Sequence, residues 1–418
     1  MERTSAARVF YGWIVVAATF AITFVGFGSA YTFSAFVDSL QRDFGASRGL
    51  VSLVFSLAGF LYFSLGMVSG PLADRWGARR IAMAGMLLAG LGMIVAGFAR
   101  SLAEVCAAYG LGIGLGVGCA YVPALGAVQR WFVRRRGFAS GLAVSGIGVG
   151  TLAMPPLASK LIASFTWREA YFILGVFALI VGLAAAALIE DDPRSRGLGP
   201  DGVRSAAALS SRPVAGLSVR QAMRTPRFAG LYAACLIGSA GVFVPFVHLV
   251  PYAVDHKIHP ATAVLLLSAI GVGSTIGRFF LGSIADRMGR EASLITMYGG
   301  MAASLAIWAL ADGGLTALLA FAVTFGLFYG GWVAILPAVV ADHFGARRVS
   351  GIIGVLYTSV AIGTLVGPTA AGFMFDESHS YLVPIAASAI ANAVAAVLTI
   401  TTTRTASPLA ELAPSDAR

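Results

Sequence analysis

The chain has 418 residues, of which 58% are hydrophobic and only 11% are charged. This balance excludes an ordinary soluble domain, in which about 25% of the residues carry charge. A net charge of +10 would suit nucleic-acid binding, but the basic residues cluster between apolar segments, where they orient a membrane protein, so we expect no nucleic-acid partner.

Twelve apolar segments are long enough to cross a bilayer core, which takes roughly 20 helical residues. The alternating pattern of a membrane β-barrel is absent, so helices must satisfy the backbone within the lipid. We therefore predict an all-α membrane protein. The predicted spans, numbered in chain order, are residues 11–36, 50–71, 81–99, 103–128, 138–159, 169–189, 227–254, 261–285, 292–311, 315–340, 350–374 and 380–402.

Lysine and arginine residues are unevenly divided between the two sides that twelve spans define. Most lie on the side of the N-terminus, including the clusters at 134–136 and 347–348, whereas few, such as Arg42 and Lys257, lie on the other. Cytoplasmic loops are enriched in basic residues. We expect both termini in the cytoplasm and the protein in the cell (inner) membrane.

Two sequence patterns occur twice at nearly the same separation. GPLADRWG at 70–77 recurs as GSIADRMG at 282–289, and GTLAMP at 150–155 recurs as GTLVGP at 363–368. A duplicated six-helix unit explains both matches. We expect six-helix bundles at residues 1–189 and 227–418, joined by a polar cytoplasmic linker at residues 190–226.

The stretch GPLADRWGARR at 70–80 resembles the loop signature of the major facilitator superfamily. Within that superfamily, the chain resembles the monocarboxylate porter family, which also contains oxalate:formate exchangers. This resemblance rests on YGW at 11–13, WFVRRRGFASGLAVSGIGVG at 131–150 and VPFVHLVPYAVDHKI at 244–258. It covers nearly the whole chain and implies a major facilitator fold of two six-helix pseudo-repeats, with the substrate between the halves near the midplane.

The repeated loops predict a gate on the cytoplasmic side. Asp74 can accept hydrogen bonds from a neighbouring helix N-terminus, while Arg75 and its neighbours stay at the anionic leaflet. The alternative is a basic loop that only sets topology. The predicted gating residues are Gly70, Asp74, Arg75, Gly77, Arg79, Arg80, Asp286, Arg287 and Gly289.

Arg278 stands inside an apolar span, eight residues before Asp286 and hence about 12 Å from the end of the segment. Arginines near the bilayer centre nearly always face a cavity or a partner. Gly271, Ser274 and Arg278 share one helix face. Since a guanidinium offers two parallel donors to a carboxylate, we expect Arg278 to bind an organic acid anion; a structural role is the alternative.

Asp255, at the end of segment 7, is the carboxylate that we expect to take a proton. When ionised it would attract Arg278, and when protonated it would release the arginine for substrate. The alternative is an exposed loop acid beside Lys257. His248 lies two turns deeper and is either a proton relay or a side chain hydrogen-bonded to a neighbouring helix.

Aromatic and small polar residues are expected to shape the rest of the pocket. The resemblance to bacterial relatives implies substrate contacts from segments 4 and 10, and packing between helices is the alternative for the other aromatic candidates. The predicted substrate-binding residues are Arg278, Tyr121, Cys119, Tyr329, Phe328 and Tyr31.

The stretch GLGIGLGVG at 110–118 has the look of a phosphate-binding loop, but no strand precedes it and it lies within a span. Gly110, Gly114 and Gly118 are spaced for close helix packing. We therefore reject nucleotide binding. No metal cluster, nucleophile triad or cofactor motif is visible, so we expect no enzyme activity and no cofactor.

Departures from the family narrow the substrate. Oxalate exchangers carry a lysine in helix 11, but residues 350–374 contain no Lys or Arg. Animal monocarboxylate carriers have a lysine in helix 1, absent from residues 11–36, and an aspartate where this chain has Ser274. One cation suits one carboxylate, so we predict a secondary transporter of lactate- or pyruvate-like monocarboxylates, coupled to protons. An oxalate/formate-type anion antiporter and a carboxylate sensor without transport are the alternatives.

Overall fold

The computed structural model describes residues 10–132, 136–202, 216–345 and 349–403. Within these ranges, the side chains of residues 74, 136–137, 282–287, 341, 349–350 and 403 also lie outside the description. Three of the predicted gating residues, Asp74, Asp286 and Arg287, therefore have side chains outside the described part of the chain.

Twelve helical units confirm the twelve predicted spans. In the described residues, eleven helices are long and apolar enough to cross a membrane, and a bent pair makes up to twelve. Their bounds are Tyr11–Tyr31 with Phe33–Phe44 (helix 1), Arg48–Ser64 with Gly66–Trp76 (helix 2), Ala78–Gly97 (helix 3), Leu102–Val105, Cys106–Leu111 and Gly112–Trp131 (helix 4), Arg136–Ser164 (helix 5), Trp167–Ala187 (helix 6), Pro226–Val242 with Val244–Asp255 (helix 7), Pro260–Met288 (helix 8), Arg290–Ala309 (helix 9), Leu315–Phe344 (helix 10), Val349–Ser378 (helix 11) and Leu382–Thr403 (helix 12).

Helices 1 and 7 are each interrupted at equivalent places in the two halves. Helix 1 breaks at Thr32, whose hydroxyl donates a 2.7 Å hydrogen bond to the carbonyl of Ser29. Helix 7 breaks at Phe243, just before Pro245, which has no backbone N–H for a helical bond. The outer parts of these two helices then pack against each other. The breaks thus precede the segments, one from each half, that meet at the same end of the bundle.

Helix pairing follows the same scheme in both halves. Helices 1 and 5, 3 and 4, and 3 and 6 pack together, as do their counterparts 7 and 11, 9 and 10, and 9 and 12. The halves meet where helix 2 packs on helix 11 and helix 5 on helix 8. We call the end where helices 1, 3, 5, 7, 9 and 11 begin the basic end, and the other the opposite end.

Glycines set the spacing at several of these contacts. A Cβ on Gly372 of helix 11 would lie 2.7 Å from the Cα of Gly49 on helix 2, so the two backbones touch. On helix 4, Gly110, Gly114 and Gly118 all face helix 2. The prediction that this glycine series serves helix packing is confirmed.

At the basic end, the acidic segment after helix 6 holds the start of helix 3. Asp191 accepts a 2.5 Å hydrogen bond from the backbone N–H of Ala78, and the guanidinium of Arg79 donates to the carbonyl of Ile189 at 2.8 Å. Asp191 thus caps a helix N-terminus, a role that we predicted for Asp74. Arg196 donates two 2.7 Å hydrogen bonds to Glu190, and they lower the pKa of that carboxyl.

The last glycine of each repeated loop has the same unusual backbone. Gly77 precedes helix 3 with φ +90°, and Gly289 precedes helix 9 with φ +86°. L-residues with side chains rarely adopt these values. The duplicated motif therefore forms the same turn in both halves. The predicted role of the motif in gating stays a prediction.

We expect Asp191→Ala to lower stability by about 1 kcal/mol, because helix 3 loses its N-terminal acceptor. Asp192→Ala is the matched control. The carboxylate of Asp192 accepts a hydrogen bond from the backbone N–H of Arg194, within its own short turn, and does not cap helix 3. Thermal unfolding in detergent measures both. Equal unfolding midpoints for the two variants would contradict a capping role.

Candidate functional site

Arg278 lies in the middle of the bundle, on helix 8, with a side chain that is 6% exposed. Its three guanidinium nitrogens have no hydrogen-bond partner among the described residues. A buried charge without a partner is strongly unfavourable and is retained where function needs it. The arrangement thus leaves a cation prepared for an anion.

Three tyrosines from different helices surround this cation. The guanidinium carbon lies 6.0 Å from the ring centre of Tyr329 on helix 10, and Tyr31 and Tyr121, on helices 1 and 4, are also close enough to interact electrostatically with it. The hydroxyls of Tyr31 and Tyr329 lie 3.0 Å apart and connect the two halves. The structure therefore brings together Arg278, Tyr31, Tyr121 and Tyr329 from the predicted set.

Cys119 and Phe328 are not brought to Arg278. Cys119 is two residues from Tyr121, a rotation of about 200° around the helix, so it lies on nearly the opposite face. The ring of Phe328 packs against Gly300 of helix 9. Both residues stay predictions as substrate-binding residues.

Helix 5 contributes a close backbone approach that the sequence analysis missed. A Cβ on Gly148 would lie 2.9 Å from a terminal nitrogen of Arg278 and would overlap the hydroxyl of Thr275. The hydroxyl of Ser274, four residues before Arg278, is also buried and has no hydrogen-bond partner in the described chain. The only signal was the small-residue pattern at 145–150, where a glycine falls every second position.

We expect Gly148→Ala to reduce carboxylate transport at least about tenfold, because the added methyl group displaces the guanidinium or separates helices 5 and 8. Gly141→Ala is the control on the same helix, since a Cβ there would meet nothing within 4 Å. Uptake into proteoliposomes compares the two. Equal loss in both variants would indicate a general effect of alanine on helix 5.

Asp255 does not contact Arg278 in this conformation, which corrects the predicted pair. Both oxygens of its carboxylate accept hydrogen bonds from the guanidinium of Arg48, at 2.6 and 2.8 Å. Arg48 begins helix 2, at the opposite end. Asp255 sits at the mouth of the bundle rather than beside the buried cation, and there its pairing joins the two halves.

A second aspartate reinforces this contact. Asp376 of helix 11 accepts hydrogen bonds from the backbone N–H groups of Arg48 and Gly49, at 3.0 and 2.9 Å. The carboxylate caps helix 2 across the interface between the halves. The guanidinium of Arg48 also lies 4.2 Å from the ring centre of Phe375. We call Arg48, Asp255, Asp376 and the residues bound to them the Arg48 cluster.

His248 is buried within the same cluster. Its Nε2 lies 2.8 Å from the carbonyl of Pro368 and 3.3 Å from the hydroxyl of Ser52, while its Nδ1 lies 3.3 Å from the hydroxyl of Tyr381. Arg48 donates a 2.7 Å hydrogen bond to that same tyrosine. His248 is therefore hydrogen-bonded to neighbouring helices, which was one of the two alternatives for it.

Comparison with known proteins places the chain in a family context. The family model described as Major Facilitator Superfamily matches residues 18–316 and 234–416. Human monocarboxylate transporter 11 is 30% identical over 385 residues, covering 89% of this chain and 78% of that protein. Rat monocarboxylate transporter 3 is 31% identical over 379 residues, covering 89% of this chain and 75% of that protein.

A solved structure supports the same fold. The chain aligns with a bacterial homologue of the human lysosomal transporter Spinster, in an inward-facing and occupied conformation, with a TM-score of 0.71. The alignment covers 96% of this chain and 98% of that one, at 15% identity. At such low identity, the likeness shows the fold alone.

Proposed function

Because the chain belongs to the major facilitator superfamily and is related along most of its length to proteins named monocarboxylate transporters, we propose that it carries small monocarboxylates by alternating access around Arg278. It is a transporter and not an enzyme. The observation that carries the proposal is the buried guanidinium of Arg278, which lacks a hydrogen-bond partner among the described residues.

The chemistry around Arg278 suits one carboxylate with a short polar substituent. The planar guanidinium can bind both oxygens of a carboxylate in parallel. The hydroxyls of Tyr31, Tyr121 and Tyr329 supply further donors at the same place. Lactate and pyruvate each carry an oxygen beside the carboxylate that such a hydroxyl can bind. A second carboxylate on the substrate would have no second cation to pair with among the described residues around Arg278.

We assign the basic end to the cytoplasm, following the distribution of Lys and Arg, and the membrane to the cell (inner) membrane. The Arg48 cluster then closes the outer end, and we call it the outer gate. In this orientation Arg278 is separated from the outside by the outer gate and by the Tyr31–Tyr329 contact. The substrate path opens and closes at these two levels.

Proton coupling follows from the charge of the substrate. Uptake of a lone anion against an inside-negative potential costs about 2.3 kcal/mol per 100 mV, and one accompanying proton cancels this cost. The coupling carboxylate lies in the outer gate, where Asp255 binds Arg48 instead of the predicted Arg278. His248 is the relay candidate within hydrogen-bond distance of this network.

The proposal is tested by uptake of labelled lactate, pyruvate, formate and oxalate into proteoliposomes, with and without an inward proton gradient. Lactate or pyruvate uptake that follows the gradient and stops with a protonophore is the expected result. Counterflow that ignores the gradient would instead indicate the anion antiporter. Binding without any flux would indicate the sensor.

A further inference from the structure

Helix 8 carries two buried polar side chains one turn apart. Arg278 is 6% exposed and Ser274 is 2% exposed, and neither the guanidinium nor the serine hydroxyl has a hydrogen-bond partner among the described residues. Residues four apart are separated by about 6 Å along a helix and by about 40° around it. Because a buried hydroxyl without a partner costs free energy, Ser274 needs an explanation of its own, beside that of the cation.

The three residues between them show where this face of helix 8 points. The hydroxyl of Thr275 lies against a glycine of helix 5, and a Cβ on Gly277 would overlap a backbone oxygen of helix 10. Ile276 is exposed and points out of the bundle. Successive residues are rotated by about 100°, so Ser274 and Arg278 take the remaining direction, between helices 5 and 10 and away from the outer surface. Both therefore face the centre of the bundle.

The direction of helical side chains brings the two groups closer together. Side chains lean towards the N-terminus of their own helix, and Ser274 lies one turn nearer to that terminus than Arg278. The long side chain of Arg278 thus extends towards the level of Ser274. One ligand at the guanidinium can then also reach the serine hydroxyl.

Other hydroxyls near this place already have partners. Those of Tyr31 and Tyr329 lie 3.0 Å apart and bond to each other. The hydroxyl of Thr275 donates to the carbonyl of Gly271 at 2.9 Å. A ligand that bound any of these would compete with an existing hydrogen bond. The hydroxyl of Ser274 can donate without losing a bond to the described part of the chain.

We infer that Ser274 determines substrate specificity by donating a hydrogen bond to the oxygen on carbon 2 of the substrate, while Arg278 binds the carboxylate. This inference deepens the proposed function and rests on it. It selects the serine among the available hydroxyls and names the substrate class as monocarboxylates with a hydroxyl or oxo group beside the carboxylate. The oxygen of either group accepts the hydrogen bond. An acid without this oxygen leaves the hydroxyl unpaired and binds more weakly.

The test compares lactate, pyruvate and propionate, because propionate has the same three carbons without the oxygen on carbon 2. The rise of the thermal midpoint with ligand concentration gives their affinities for the purified full chain in detergent. In the unmodified protein, we expect lactate and pyruvate to bind more tightly than propionate. Ser274→Ala should weaken the binding of lactate and pyruvate about fivefold, the net effect of one hydrogen bond, and should not weaken that of propionate. Ser274→Thr retains the hydroxyl and should retain the preference.

Ser268→Ala is the matched control on the same helix. The hydroxyl of Ser268 donates a 2.7 Å hydrogen bond to the carbonyl of Leu152 on helix 5. Its loss should lower the thermal midpoint and leave the ratio of lactate to propionate affinity unchanged. Ser274→Ala should do the reverse, since in the described chain its hydroxyl has no hydrogen bond to lose.

Two results would overturn the inference: equal affinities for the three acids in the unmodified protein, or an unchanged ratio of lactate to propionate affinity in Ser274→Ala. A lower midpoint of ligand-free Ser274→Ala with an unchanged ratio would assign the hydroxyl a structural role. If the unmodified protein bound none of the three acids, the proposed function itself would be contradicted, and the inference with it.

Discussion

Arg278→Gln should reduce the rate of carboxylate uptake at low substrate concentration by at least about a hundredfold, because removing one partner of a buried charge pair costs roughly 3–5 kcal/mol. Glutamine retains hydrogen-bonding groups at the site but not the charge that compensates the anion. Initial uptake of labelled lactate or pyruvate into proteoliposomes measures the loss. Arg278→Lys should restore only part of the rate, since an ammonium cannot bind both carboxylate oxygens in parallel.

Stability distinguishes this functional role from a structural one. The guanidinium of Arg278 is buried and lacks a hydrogen-bond partner in the described residues, so its neutralisation should raise the thermal midpoint of the substrate-free protein. Arg100→Gln, which removes an exposed arginine at the outer end, should change neither stability nor uptake. An Arg278→Gln protein that unfolds at lower temperature, or one that transports at the unmodified rate, would contradict the assignment.

The membrane spans were predictable from the sequence because their signal is local. A run of apolar residues long enough to cross the bilayer is rare in soluble proteins, and all twelve runs became helical units. The interruptions at Thr32 and Phe243 were not predicted. Their causes are a hydroxyl that competes for a backbone carbonyl and a proline two residues on, and both features also occur inside unbroken helices.

The candidate site was predictable only in part, and the limit is geometric. The buried position of Arg278 follows from its place in an apolar span, since lipid is an unfavourable neighbour for charge. Which residues of helices 4 and 10 approach it depends on helix rotation, which brings Tyr121 and Tyr329 near Arg278 and places the ring of Phe328 against Gly300. Adjacent residues on a helix point about 100° apart, so Phe328 and Tyr329 face different neighbours, but the sequence does not fix how the helix is rotated in the bundle.

Partners that are distant in sequence were beyond prediction. In this conformation Asp255 binds Arg48 rather than Arg278, and Arg48 lies in the other half and at the start of a different helix. The cap that Asp191 provides to helix 3 was likewise missed, because Asp191 lies after helix 6 and far from Ala78 in sequence. Charge type alone does not select among several possible partners; the way in which the two halves dock does.

Arg48→Gln should open the outer gate. Arg48 holds Asp255 through two hydrogen bonds and positions the N-terminus that Asp376 caps, so its loss leaves carboxylates facing one another across the two halves. Measured coupling between close charge pairs ranges from about 1.5 to 7 kcal/mol. For this pair, whose side chains are 12% and 35% exposed, we expect a shift near the lower limit, roughly 2 kcal/mol or thirtyfold towards the open form.

The expected functional result is a transporter that binds external carboxylate but completes its cycle slowly, because an open gate must close before substrate reaches the other side. Net uptake should fall more than tenfold while substrate still raises the thermal midpoint, since Arg278 is intact. Arg42→Gln is the control, because the exposed side chain of this neighbour donates to a backbone carbonyl of its own helix. Loss of substrate binding together with uptake would show that Arg48 acts on the site itself; unchanged uptake would show that the Arg48 cluster does not limit gate closure.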